Sequence, residues 1–444
     1  MEELEEQNIQ PETPPSKPRN VFTNKNFVLA FLGAFVSNTG NILYSFAVSY
    51  YILALTGNNA LIQGAYLATG GITFTIVVLF GGVISDRFHK GKIMYICDYA
   101  KGATIIALTA LLMTVIGSNT GKVIVLFALT IIGNFLGAIF SPAAGSLLPH
   151  IVPKESYQQA QSYYSAMNSF QSILGIVLAG VLYSTIPTNI LFMIVGGCYL
   201  LSGLSEMFIK YEHVKKEEKL SFKVAFNDIG SAFKYLASVK PLFYLVGAVL
   251  FINFFFSPVV SNAMPYFIAT DVASSAYLFH ENMAPEMWGS IISVAVSLGS
   301  IIFAIVLSMK KQKEHIAKGL RISFILTSVT FSMISASYVL YAQKVIEINV
   351  LLIAMTVIFF ALGAFLVFIN IPISTTIVSI VERDKLGKVN SLIDVGCQGL
   401  IPLGNFLGGL VISGFGLSAL LISCSIGFIL MTVFICVNRH IGQL

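Results

Sequence analysis

Charge is the scarcest property of this sequence. Asp, Glu, Lys and Arg make up 11% of its 444 residues, against about 25% in soluble globular chains. Such a composition cannot clothe a soluble domain of this size. Long helices buried in a soluble core are excluded as well. Apolar runs of the roughly 20 residues that a bilayer demands recur from Phe27 almost to the C-terminus. Cysteine is sparse. Cys97, Cys198, Cys397, Cys424 and Cys436 all fall in apolar runs and none forms a CxxC pair, so they read as packing thiols rather than disulfides or metal ligands. The histidines His89, His150, His213, His280, His315 and His440 sit in or beside loops without metal-ligand spacing. No metal or cofactor is expected. Met1–Asn26 carries acidic residues and Pro11, Pro14, Pro15 and Pro18, where a signal peptide has a basic start and an apolar middle. Residues 1–26 read as a disordered cytoplasmic tail.

Enzyme signatures are missing too. Gly117-Ser118-Asn119-Thr120-Gly121-Lys122-Val123 has one residue too few between its glycines for a phosphate loop, and Val123 stands where Ser or Thr binds magnesium. No nucleotide-binding domain follows, so an ATP-driven pump and an enzyme are both disfavoured.

What the sequence has is hydropathy, with a mean of +0.83. Twelve spans are expected, near 27–55, 61–84, 93–117, 122–148, 158–184, 190–209, 241–269, 287–309, 316–341, 348–379, 389–413 and 417–437. A lone segment in lipid must satisfy its own backbone, which makes helices the expectation. The runs are too long and too uniformly apolar for a β-barrel. With the N-terminus inside, only Lys122 and Lys344 of the 26 Lys and Arg residues fall on the outer side, as the positive-inside rule demands. The net charge of +5 therefore reflects topology, not nucleic-acid binding. The expected organisation is an all-α membrane protein with bundles at 27–210 and 241–437, a cytoplasmic linker at 211–240 and a short cytoplasmic tail at 438–444. The linker's Lys215–Lys219 charge run reads as solvated, and Asp271–Glu286 reads as an acidic outer loop.

The two halves resemble each other. Val152-Pro153-Lys154-Glu155 with Gln161-Ser162 recurs as Val381-Glu382-Arg383-Asp384 with Asn390-Ser391. Gly175 and Gly180 recur as Gly404 and Gly409 at the same constant separation. A six-plus-six parallel repeat is the plan of rocking transporters.

Between the second and third spans lies Gly82-Val83-Ile84-Ser85-Asp86-Arg87-Phe88-His89-Lys90-Gly91-Lys92. This resembles the signature loop of the major facilitator superfamily through Gly82, Asp86, Arg87, Lys90 and Lys92. His89 replaces the usual glycine, and Gly91 a basic residue. Physically, Gly82 permits close helix approach, and Asp86 at a helix end suits the positive terminus of a neighbour. Within that superfamily the chain is similar to the group of macrolide-efflux proteins and the enterobactin exporter. The similarity is carried by Leu55-Thr56-Gly57, Lys92-Ile93-Met94 through Asp98, Ser141-Pro142, Leu148–Pro153 and Leu386-Gly387-Lys388-Val389. The resemblance implies twelve transmembrane helices in two six-helix bundles, a gating latch at the signature loop and small-molecule export by a monomer in the cell membrane. Two features depart from proton antiporters of the superfamily. The fourth span has no Arg, its place falling near Gly133, and the fifth reads Gly175-Ile176 where Gly-Pro is usual.

Charges inside a membrane are costly and mark functional candidates. Asp394, Asp98 and Lys101 are the coupling candidates for protons, with Asp98 and Lys101 spaced to pair one turn apart. Glu206, one turn before Lys210, reads as a hydrated helix end or a structural ion pair. The cavity candidates are Ser37, Asn38, Asn41, Tyr44 and Ser45, with Asn134, Asn168, Gln171, Asn253, Phe254, Ser257, Asn262, Asn370 and Gln398. Pro258 and Pro265 are expected to bend the seventh span. An aromatic-rich, charge-poor cavity suits bulky, partly apolar ligands. The leading expectation is a secondary transporter exporting amphipathic small molecules, with nutrient uptake and lipid or lysolipid flipping as the alternatives.

Overall fold

The computed structural model describes residues 20–441 apart from 115–116, 212–229, 232, 310–315 and 382–385. Side-chain polarity sets where the helices begin. The Asn24 side chain accepts from the Asn26 and Phe27 amides and starts α1 (Lys25–Thr56). Asn59 does the same for α2 (Ala60–Arg87) through the Ile62 amide, and Ser118 for α4 (Asn119–Ile151) through Gly121. These caps satisfy amides that have no partner within the helix. Gly57, at φ 63°, ends α1 in the left-handed conformation that glycine adopts without strain.

Between α2 and α4 runs α3 (Lys90–Thr114), and α5 (Tyr157–Thr185) and α6 (Thr188–Met207) complete the first six helices. The second six are α7 from Lys240, α8 (Glu286–Ser308), α9 (Ile316–Ala342), α10 (Ile348–Ile380), α11 (Leu386–Phe415) and α12 (Leu417–Val437). Eleven of these are long and apolar enough to cross a membrane; in α11 the qualifying stretch among the described residues is shorter, Gly399–Phe415. The expected spans correspond to these helices, with two extensions. α2 runs on through Arg87, which places Asp86 and Arg87 in its last turn rather than in a loop. α4 continues past Pro142 and Pro149 to Ile151. Lys122 and Lys344 lie at the end of the bundle opposite the start of α1; that start marks the basic face of the protein.

α7 is not one uniform helix. Lys240–Pro258 passes into a π-turn at Val259–Ala263, a single α-turn at Met264–Phe267 and a second π-turn at Ile268–Val272. Pro258 and Pro265 each lack the amide that would continue an i→i−4 ladder. The wider turns take up the slack, as insertions of this kind do near functional sites.

Each half packs its third helix against its sixth, but with different chemistry. In the first half the crossing of α3 and α6 is made by glycine. A Cβ on Gly102 would lie 2.8 Å from the Gly196 carbonyl, and one on Gly203 3.2 Å from the Tyr95 carbonyl. In the second half the crossing of α9 and α12 is a ladder of hydroxyls. Ser328 bonds to Thr432 and to the Phe428 carbonyl (2.9 Å). Ser335 bonds to Ser425 (2.6 Å) and to the Leu421 carbonyl (2.7 Å). Phe331 and Phe428 stack beside it with centroids 3.9 Å apart. Lipid tails offer little hydrophobic drive for helix association, so close backbone contact and hydroxyl bonds supply it.

The repeated glycines hold equivalent places. Gly175 of α5 meets Ile42 of α1, and Gly404 of α11 meets the Phe254 carbonyl of α7. One turn onward, Gly180 touches Ser290 of α8, and Gly409 touches Ala60 and Gly64 of α2. The first glycine of each pair thus packs within its own half, and the second packs across to the other.

Candidate functional site

The contacts between the halves gather in the part of the bundle away from the basic face. The Asn58 amide donates to the Ala269 carbonyl (3.3 Å), and the Leu61 amide to the Ser413 hydroxyl (2.9 Å). Gln63 donates to the Ser49 hydroxyl (3.1 Å) and across to the Ser261 carbonyl (3.3 Å). Tyr50 of α1 abuts Gly289 of α8, and Asn262, in the first π-turn of α7, donates to the Asn405 carbonyl (2.6 Å) beside Gly64. Nearer mid-bundle, Ser297 donates to the Ser172 carbonyl (3.2 Å).

Under this closed end lies a cavity of about 1190 Å³. Its lining reaches from Gln63 and Gly289 down to Ser141–Gly145 of α4, towards the basic face. The first half supplies most of it. α1 contributes Asn38, Asn41, Tyr44 and Ser45, and α2 contributes Gln63, Tyr66 and Gly70; the second half adds Ser261, Met264, Pro265 and Ser293 among others. Asn38, Asn41 and Ser45 are exposed to the cavity along one face of α1, as their helical spacing demands. Asn134 lines it with its amide donated to the Thr130 carbonyl (2.8 Å), and buried Gln171 ties α5 to α1 through the Phe35 carbonyl (2.7 Å) and Thr39 (2.9 Å).

The remaining candidates lie elsewhere. Asn253 donates to the Val249 carbonyl (2.9 Å) and Phe254 packs on Phe255; neither lines the cavity. Asn262 is fully buried at the joint between the halves, and Asn370 is exposed outside the cavity wall. The side chains of Asp86, Asp394 and Gln398 lie outside the described residues. Residues the sequence reading passed over are Gln63, Tyr66, Thr130 and Tyr199. Gln63, Tyr66 and Gly70 follow helical spacing on α2, a signal that was available but blended into an apolar span.

Among the described residues two charged side chains line the cavity, Asp98 and Lys101 of α3. The Lys101 ammonium lies 4.3 Å from the centre of the Tyr199 ring, so it engages the face of an aromatic rather than serving Asp98 alone. Its Cε lies 3.7 Å from where a Cβ on Gly133 would stand. The basic group that α4 lacks at that place is thus brought to it from α3. Asp98 is 4% exposed and its Oδ2 has no hydrogen-bond partner among the described residues. Glu206 corrects the sequence reading. It is 1% exposed, wedged against Gly33 of α1, and neither of its oxygens has a hydrogen-bond partner among the described residues. It is not a hydrated helix end.

The signature segment at the basic face also departs from expectation. Gly82 faces open space; the helix crossing is made by Gly81, where a Cβ would collide with the Ala138 carbonyl. Lys90 is buried, and its ammonium folds back onto the Ser85 carbonyl (3.2 Å) near the end of α2, the favourable place for a cation on a helix. Arg87 and Lys92 are exposed. His89, standing where glycine is usual, caps α3: its Nδ1 accepts from the Lys92 amide (3.3 Å). Its ring packs on Tyr211, centroids 4.4 Å apart, and the Tyr211 oxygen accepts from the Lys90 amide (2.6 Å). Tyr211, just beyond α6, is therefore part of this loop. Burial pushes its phenol above the ordinary value of 10, while the Lys90 and Gly91 amides pull the other way.

Comparison with known proteins agrees with this geometry. The family model of the Major Facilitator Superfamily matches residues 30–393. The chain belongs to this superfamily. It is 25% identical over 399 residues to the MFS-type transporter YkuC of Bacillus subtilis (strain 168), covering 84% of this chain and 83% of that one. It is also 25% identical over 167 residues to macrolide efflux protein A of Streptococcus pyogenes, which is 37% of this chain and 39% of that protein. Among solved structures, the nucleoside transporter NupG matches with TM-score 0.68 and 12% identity over 94% of this chain and 98% of that one. A bacterial homologue of the iron transporter ferroportin in an inward-facing state matches with TM-score 0.68 and 12% identity over 93% and 100%. The chain is therefore a multi-pass membrane transporter of the major facilitator fold and not an enzyme.

Proposed function

We propose that this protein exports amphipathic small molecules across the cell membrane by alternating access, exchanging them for protons. The observation that carries the reading is the cavity itself: about 1190 Å³, walled by amides, hydroxyls and aromatic rings, with one carboxylate and one ammonium among the described residues. A site of that size and polarity suits a bulky ligand with few charges. The local similarity to a macrolide efflux protein points the same way. We assign coupling to Asp98, which lines the cavity, with Asp394 as a second candidate. In this reading the basic face is cytoplasmic, and residues 27–210 rock against 241–437 as a monomer while 211–240 joins them. The Asp86–Lys92 segment then acts as the latch.

Nutrient uptake is the second reading. It is favoured by the amide- and hydroxyl-rich wall on α1 and α2 and by the fold-level likeness to a nucleoside transporter. Proteoliposomes with an imposed pH gradient separate the readings. Efflux predicts gradient-driven movement of a fluorescent cationic dye or a macrolide, reduced at least tenfold in Asp98→Asn. Movement indifferent to the gradient removes proton coupling. If neither compound moves but a nucleoside accumulates, the uptake reading replaces export, and a flipped fluorescent lysolipid makes the protein a lipid carrier.

A further inference from the structure

We propose that Glu206 and Asp98 form a proton-binding site, with Glu206 as the buried store and Asp98 as its opening to the cavity. Glu206 is sealed between α1, α3 and α6, 1% exposed, and outside the cavity wall; Asp98 is 4% exposed and lines it. Three of their four oxygens, Asp98 Oδ2 and both of Glu206, have no hydrogen-bond partner among the described residues. The Ser202 hydroxyl, on the same helix one turn before Glu206, donates to the Gly33 carbonyl (3.0 Å), so its hydrogen is spent on the backbone of α1.

Among the described residues the surroundings supply one cation for two acids. α1 presents Gly33 at 3.1 Å from Glu206, and α5 presents the Tyr164 phenol. α3 brings Cys97 and Lys101, α4 brings Gly133 beside Lys101, and α6 brings Cys198 and Tyr199. Lys101 is the single cation of the set, and it is engaged over the Tyr199 ring. Two bare carboxylates in a water-poor pocket are strongly disfavoured. Two acids with one opening instead share a proton, as paired carboxyls do in other sites. The proton leaves Glu206 for Asp98 and then cavity water, leaving a carboxylate behind, and refilling reverses the path. The site exists whether or not the export reading holds; that reading concerns only its use.

Infrared difference spectroscopy of the full chain in lipid, titrated from acid to alkaline pH with no substrate, tests the site directly. The expected result is a carboxyl C=O band that shifts in heavy water, titrates, and is lost in Glu206→Gln. Asp98→Asn should keep the band but slow its response to a pH jump at least tenfold. A band unchanged in Glu206→Gln overturns the proposal, and so does a band abolished by sodium at constant pH, which would make this a sodium site. A wild-type protein with no such band at any pH overturns it without recourse to a variant. A titrating band together with dye transport indifferent to pH would retain the site and remove the proton-coupled export reading.

Discussion

The two six-helix halves share a plan and differ in what holds them together and what they expose. The first half buries its acids, Asp98 and Glu206, and closes α3 on α6 through Gly102, Gly196 and Gly203. It also provides most of the cavity wall. The second half closes the equivalent helices, α9 on α12, with Ser328, Ser335, Ser425 and Thr432, and gives the cavity little beyond the segment around the π-turns of α7 and the start of α8. Among the described residues the charged cavity groups lie in the first half, and the side-chain hydrogen bonds of this crossing in the second. Glycine crossings lose everything if a side chain is added, whereas a hydroxyl ladder loses one rung at a time.

That contrast sets the size of mutational effects. Gly196→Leu should be the most damaging, because its first carbon already meets Ile106 Cγ1 at 2.5 Å and the Gly102 carbonyl at 3.2 Å. About 3 kcal/mol is expected, the upper end for overpacking, read as a drop in thermal midpoint of the purified protein. The neighbouring Gly197 faces open space, and Gly197→Leu should change stability by less than about 0.5 kcal/mol. Equal effects at the two glycines would erase the contrast. Gly180→Val comes next. It strikes Ser290 across the interface and should disfavour the state closed away from the basic face by about 2 kcal/mol. Thiol labelling of a cysteine placed at the sealed end should rise roughly 30-fold, while the fold survives.

Tyr211→Phe removes an acceptor from the start of α3 and should cost about 1 kcal/mol. The phenol is held above its ordinary value of 10. A group raised in the folded state contributes fully below its unfolded value and loses that contribution as pH climbs past its folded one. The difference from wild type should therefore be flat from roughly pH 6 to 9 and change only in strong alkali. Chemical denaturation at several pH values checks this. Ser335→Ala is the smallest. One rung of the hydroxyl ladder should cost about 0.6 kcal/mol, and the double change with Ser425→Ala should cost less than the two single ones added together, because the two residues share a bond.

How far the sequence could be read follows the range of the forces involved. Span positions, the all-α class and the paired halves were legible because hydropathy, basic-residue bias and the recurring glycines are written locally. The face of α1 with Asn38, Asn41 and Ser45 was legible from helical spacing. In α7 residue type alone singled out Asn253, Phe254 and Asn262, which turn to their own helix, to Phe255 and to the α11 joint. Pro258 and Pro265 announced a bend in that helix, but not that it would take the form of two π-turns. Gly81 rather than Gly82 makes the α2–α4 crossing for a related reason: period marks a face but not which neighbour lies against it.

Glu206 shows the same boundary most clearly. Seen along the chain it is an acid near a helix end, four residues from Lys210, and a hydrated ion pair is the natural reading. In the fold neither Glu206 oxygen has a hydrogen-bond partner among the described residues, and the packing of α1 and α3 around α6 seals the acid from water. By itself the sequence determined that this chain lives in a membrane and is built of long apolar helices, because lipid imposes that pattern on every residue in turn. Only the tertiary structure decided which polar groups meet in the cavity and which acids lose their water, because burial is a property of neighbours far apart along the chain.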